Sequence, residues 1–103
     1  MKVAAAPFCY AEKGEKMETR VALIGIIIEN SEAVDSVNSI LHNYAPYILG
    51  RMGIPYREKN INIISIAIDA PQDIISQISG KIGRLPGVSA KTAYSGVITK
   101  TEP

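Results

Sequence analysis

The side chains that most often carry chemistry are scarce in this chain. One imidazole, His42, and one thiol, Cys9, occur among its 103 residues. A nucleophile–base unit or a structural zinc site needs several such groups converging. Cys9 stands ahead of the first regular pattern, and His42 falls where a helical pattern ends, a position that favours a cation against the negative end of the helix dipole. The carboxylate pairs Glu29 with Glu32 and Asp69 with Asp73 sit at strand–helix junctions, where capping and solvation account for them. No catalytic residue and no metal ligand is therefore expected, no cofactor is implied, and the chain does not read as an enzyme.

The most unusual stretch is Gly50-Arg51-Met52-Gly53-Ile54-Pro55-Tyr56-Arg57-Glu58. Its glycines permit close approaches that a Cβ resists, and the guanidinium groups of Arg51 and Arg57 present paired donors suited to a carboxylate or phosphate. Gly50, Arg51, Gly53, Tyr56 and Arg57 are accordingly candidate ligand-binding residues. The same residues also fit a bulged strand whose arginines are solvated or pair with another subunit. A second basic stretch, Ser79 to Gly87, carries Lys81 and Arg84 beside Gly80 and Gly83. It follows a helical pattern and lacks phosphate-loop spacing, so helix termination is the expectation there.

Periodicity predicts the elements that must position these groups. Arg20 to Glu29 is a β-branched run that ends at Asn30-Ser31, which favours a buried strand. Ser31 is suited to cap a following helix, whose stripe is Val34, Val37, Leu41 and Tyr44, and Pro46 stops it near Ala45. Tyr47 to Arg57 reads as a strand with a bulge or bend, and its proline points to a sheet edge. Glu58-Lys59-Asn60 then turns the chain into a second β-branched run, Ile61 to Asp69, giving a hairpin. Pro71 suits the first turn of a second helix with the stripe Ile74, Ile75, Ile78 and Ile82, loosened near Gly80 and closed by Gly83. Pro86-Gly87 turns into a last strand from Val88 to Tyr94, with room to reach Ile98. The order βαββαβ predicts an α+β, ferredoxin-like two-layer sandwich: two helices on one face of a four-stranded antiparallel sheet.

In such a sandwich the face away from the helices should alternate to polar residues. It does not. In the first strand both alternating sets are apolar: Val21, Leu23, Gly25 and Ile27 on one, Ala22, Ile24, Ile26 and Ile28 on the other. In the third strand Ile64, Ile66 and Ile68 suit the core, while Ile61 and Ile63 in the opposite set are too apolar for open water. A covering partner is expected, most simply another copy of the chain as a homodimer or homotetramer.

Composition narrows the function classes further. A formal net charge of +1 and dispersed charges give no field for nucleic acid or an anionic membrane, so direct nucleic-acid binding is not expected. The longest apolar run, Val21 to Ile28, is far shorter than the roughly 20 residues a spanning helix needs. With 6% aromatic residues and none in the two central strands, base stacking on the sheet is excluded as well. The loop after the first strand is acidic, which argues against an acylphosphatase-type phosphate cradle. Residues 1–16 read as a flexible extension with Met17 directly before the domain at 17–103, and a lone cysteine with no secretion-like leader fits the cytoplasm.

Three stretches together resemble a known group, the small regulators of the iron-only hydrogenase system: Arg20 to Glu29, Gly50 to Glu58, and Ser79-Gly80-Lys81-Ile82-Gly83-Arg84-Leu85-Pro86-Gly87-Val88. The resemblance spans residues 17–94. It implies similarity to ACT domains and to the ligand-sensing half of the nickel-responsive regulator, which assemble as dimers or tetramers and bind small effectors between subunits. By position in ACT domains, Glu29, Asn30 and Ser31 become further candidate ligand contacts. The His and Cys ligands of the nickel regulator have no counterpart on these strands, and no DNA-binding segment precedes the domain. The resemblance thus implies a ligand-sensing, self-associating regulatory domain. The alternative is an adaptor that docks a protein partner and takes no small molecule.

Overall fold

The computed structural model describes residues 17–101, with side chains placed from Glu18 to Gly96; the expectation of a flexible extension at 1–16 lies outside them. Strand β1 (Met17–Ile28) leads through a 3₁₀ turn into helix α1 (Val34–Asn43), strand β2 (Ile48–Tyr56), strand β3 (Ile61–Ala70), helix α2 (Gln72–Gly83) and strand β4 (Val88–Thr101). The four strands form one sheet in the order β2-β3-β1-β4, every pair antiparallel. Each helix crosses between strands separated by one other, which is the ferredoxin-like arrangement.

The two β-branched runs occupy the centre of the sheet because only there can both faces and both edges be shielded. Ile24, Ile26 and Ile28 of β1 and Ile66 and Ile68 of β3 are fully buried beneath the helices. Facing them are Val37 and Leu41 of α1 and Ile75, Ile78 and Ile82 of α2, also fully buried. Each such side chain contributes roughly 1.5–3 kcal/mol of burial. The opposite set of β1 stays open: Val21, Leu23 and Ile27 are 37%, 49% and 41% exposed. The apolar second face expected from the sequence is present and left uncovered by the described residues.

Several local features lie a residue or more from their sequence signals. Asn30, not Ser31, is the cap: its Oδ1 accepts the Glu32 N–H at 3.0 Å, leaving Ser31 inside the 3₁₀ turn. Pro71 precedes the helix as its N-cap residue, and its carbonyl accepts from the N–H groups of Ile74 and Ile75 at 3.0 and 3.1 Å. Helix α2 runs unbroken through Gly80, because the apolar stripe on either side anchors it to the sheet and outweighs one weak helix former. Strand β2 is an edge strand that carries Pro55, and its register on β3 shifts between Ile48 and Gly50, which is the expected bulge. Strand β4 is longer than its apolar pattern, since pairing with β1 continues past a register shift between Arg20 and Ala22. No helix among the described residues is long and apolar enough to cross a membrane.

Replacing Ile66, central and fully buried, tests this core. Ile66→Ala should lower unfolding free energy by about 2–5 kcal/mol, read from urea denaturation as a drop in midpoint at constant slope.

Candidate functional site

Alternation along β2 sorts the candidate residues onto different faces. Gly50 pairs with Ala67 on the open face, whereas Arg51 pairs with Ile66 and Gly53 with Ile64 on the helix side. Arg57 lies beyond the strand in a 3₁₀ turn from Arg57 to Lys59. Six residues at a strand's rise separate it from Arg51 by about 20 Å, so the two guanidinium groups do not grip one small ligand. Tyr56 donates its hydroxyl to Glu58 Oε1 at 2.9 Å, which ties it to the same turn as Arg57.

Arg51 sits instead in a groove between the edge strand and α1. The helix does not reach over β2, and residues 50–56 are all exposed. The guanidinium crosses the gap and donates from Nη2 to Asn38 Oδ1 at 2.9 Å. On one side of this bridge is a cavity of about 230 Å³ bordered by Val34, Gly53, Pro55 and Asn62; on the other, one of about 330 Å³ bordered by Leu41, His42, Ala45 and Ile48. A guanidinium has five N–H donors, and one is engaged by Asn38, so the group has capacity for an anion. The groove is open beside Gly53, where a Cβ would meet nothing within 4 Å, so a larger side chain there would project into it. Among the described residues, no group of three His, Cys, Asp or Glu side chains gathers to hold a metal.

Asn38 and His42 escaped the sequence reading as site residues, yet they carried a signal. Val34, Asn38 and His42 recur at i, i+4, i+8, a row on the helix flank beside the apolar stripe of Val37 and Leu41. The polar members of that row face the groove because the stripe itself turns to the sheet.

Glu29, Asn30 and Ser31 stand apart from this groove, at the end of β1. There the loop before β4 folds against them: the Glu29 N–H donates to the Gly87 carbonyl at 2.7 Å. Gly87 has φ +73°, and a Cβ on it would lie 2.6 Å from the Asn30 Cβ. The capping residue and the glycine turn therefore fix each other. A further cluster, not singled out from the sequence, joins the other end of the sheet. The Arg20 guanidinium lies 4.9 Å from the Tyr94 ring centroid, Arg20 Nη1 donates to Gln72 Oε1 at 3.0 Å, and Gln72 Nε2 donates to the Tyr94 hydroxyl at 2.8 Å. It clamps α2 to β1 and β4.

Residues 20–92 match the family model TM1266-like, described as "Iron-only hydrogenase system regulator, putative". Among solved structures, the uncharacterized protein TM1266 from Thermotoga maritima is similar at 36% identity and a TM-score of 0.71, covering 74% of this chain and 96% of that one. A formyltetrahydrofolate deformylase from Pseudomonas putida KT2440 is similar in fold alone: 10% identity, a TM-score of 0.53, and 71% of this chain against 28% of that one. No curated protein matches.

The contact between Gly87 and Asn30 makes a test of the loop pair. Gly87→Ala should cost about 1–3 kcal/mol through the left-handed backbone and the clash, and Asn30→Ala about 1 kcal/mol through the lost cap. Because Asn30→Ala keeps the Cβ that the new side chain would strike, the clash persists in the double variant and the two losses should be close to additive, measured as a thermodynamic cycle in urea.

Proposed function

The chain belongs to the TM1266-like family, and we propose that it is a regulatory domain that senses a small anionic effector and works as a homo-oligomer, without catalysing a reaction. The observation that carries this reading is the Arg51 groove. A guanidinium held by a single neutral partner, on an uncovered edge strand, suits reversible anion binding: it offers charge and direction without a nucleophile or base beside it. The family description as a regulator of the iron-only hydrogenase system supports a regulatory role.

An effector in this groove would contact α1 and β2 together. Those elements are held to each other here by the Arg51–Asn38 hydrogen bond, so an anion competing for the guanidinium would shift how the helix lies against the edge. A change of that kind regulates only if the ligand binds one arrangement better than the other. The adaptor reading, with no small molecule, differs in its outcome below.

Thermal unfolding in the presence of amino acids, nucleotides, inorganic phosphate and divalent metals tests the proposal. An anionic hit at about 100 times its Kd should raise Tm by about 10 °C or more. Arg51→Ala should abolish that rise, and Gly53→Val should blunt it by filling the groove, while Arg57→Ala should retain it. A hit indifferent to Arg51→Ala overturns the groove as the site, and no hit among the anions favours the adaptor reading.

A further inference from the structure

The register places three rows of side chains on the open face of the sheet, in the order β2, β3, β1, β4. They are Gly50, Ala67, Leu23 and Ala93; Met52, Ser65, Gly25 and Lys91; and Ile54, Ile63, Ile27 and Ser89. Lys91 is the single charge among these positions. Leu23, Met52 and Ile54 are 49%, 61% and 50% exposed. This surface does not suit an ionic ligand or a nucleic acid, and it is poorly matched to water.

Its relief is also specific. Leu23 is the large side chain in a row otherwise made of glycine and alanine. It stands between two shallow hollows, one of about 270 Å³ beside Gly50, Ser65 and Ala67 and one of about 290 Å³ beside Ala67, Ala93 and Ser95. A two-fold interface must be complementary to itself. A knob flanked by hollows on its own surface meets that requirement, whereas a flat or uniformly convex face would not.

We infer that this face is the interface with a second copy of the chain, in a two-fold sheet-on-sheet dimer whose axis runs parallel to the strands along the seam between β1 and β3. That operation sets Leu23 of one copy over Ala67 of the other, Ala93 over Gly50, Gly25 over Ser65, and the methylene stem of Lys91 over Met52. Large side chains meet small ones in the Leu23 row, and the two Lys91 charges lie at opposite margins. The area is sufficient. Four strands spaced about 4.8 Å apart, over about eight residues at about 3.3 Å each, give a face of about 500 Å². Two copies then bury on the order of 1,000 Å², where specific interfaces begin. The inference rests on the homo-oligomeric part of the proposed function but is independent of the Arg51 groove, because Arg51 lies on the helix side.

Sedimentation equilibrium on the full chain tests it. The wild type should be a dimer or an even multiple at micromolar concentration. Leu23→Asp should weaken dimerisation by at least about 30-fold, the loss that marks an interface hot spot. Its far-UV circular dichroism should stay unchanged, since Leu23 is half exposed in the single chain. Ser36→Asp, on the outer side of α1, should leave the mass as it is. Cross-linking a mixture of two chains in a Cys9→Ser background, one Leu23→Cys and the other Ala67→Cys, with a bis-maleimide that spans about 10 Å, the spacing of stacked sheets, should give the mixed dimer in preference to either like pair. A wild type that stays monomeric at hundreds of micromolar overturns the inference and leaves the face to a partner of different sequence. A folded Leu23→Asp variant that remains dimeric overturns it too. Neither result touches the effector test, which reads Arg51.

Discussion

Strand β1 lies between β3 and β4 and sends Ala22, Ile24, Ile26 and Ile28 into a core closed by two helices. Its other set, Val21, Leu23, Gly25 and Ile27, faces away from them. A strand that is apolar on both faces is stable only in the middle of a sheet with something over each side. That requirement orders the rest of the domain. The second β-branched run must lie beside it as β3, and the glycine- and proline-bearing β2 is left at the edge. The helices then provide one cover, and the other face is left open among the described residues.

The edge position of β2 has a second consequence. Two short helices on a four-stranded sheet cover the central pair of strands first, because there the burial of isoleucine contributes most. Arg51 and Gly53 on the inner side of β2 are consequently left beside a gap that α1 does not close. A groove at a sheet edge, lined by backbone, a guanidinium and an amide side chain, is thus a by-product of where the apolar runs fall. Charge is kept out of the core, and Arg51 stands where it is exposed to solvent.

In the proposed reading the two surfaces divide the tasks. Self-association would use the open sheet face and effector recognition the helix side of the edge strand. They meet at β2, whose alternate residues Gly50, Met52 and Ile54 belong to the first and Arg51 and Gly53 to the second. A change in how β2 lies against α1 can therefore reach the other face within one residue of the strand. Such coupling needs no long pathway, only one strand shared by two sites.

The order of β-branched runs and helical stripes determined the fold class and with it the central strands, and the residues of β1 and β3 determined the apolar second face, since alternation and β-branching report burial on each side of a strand. The residues of β2 placed its bulge and edge character, because Gly50, Gly53 and Pro55 limit where that strand can pair. The tertiary structure decided what converges. Sequence proximity suggested Arg51 and Arg57 as a pair, but strand rise pulls them apart and alternation turns Arg51 toward α1, where Asn38 meets it. Likewise Gly87 and Asn30, more than fifty residues apart in the chain, touch because β4 pairs beside β1 and brings the preceding turn against the cap. Periodicity tells a residue which face it takes; only the order of strands tells it which neighbour waits there.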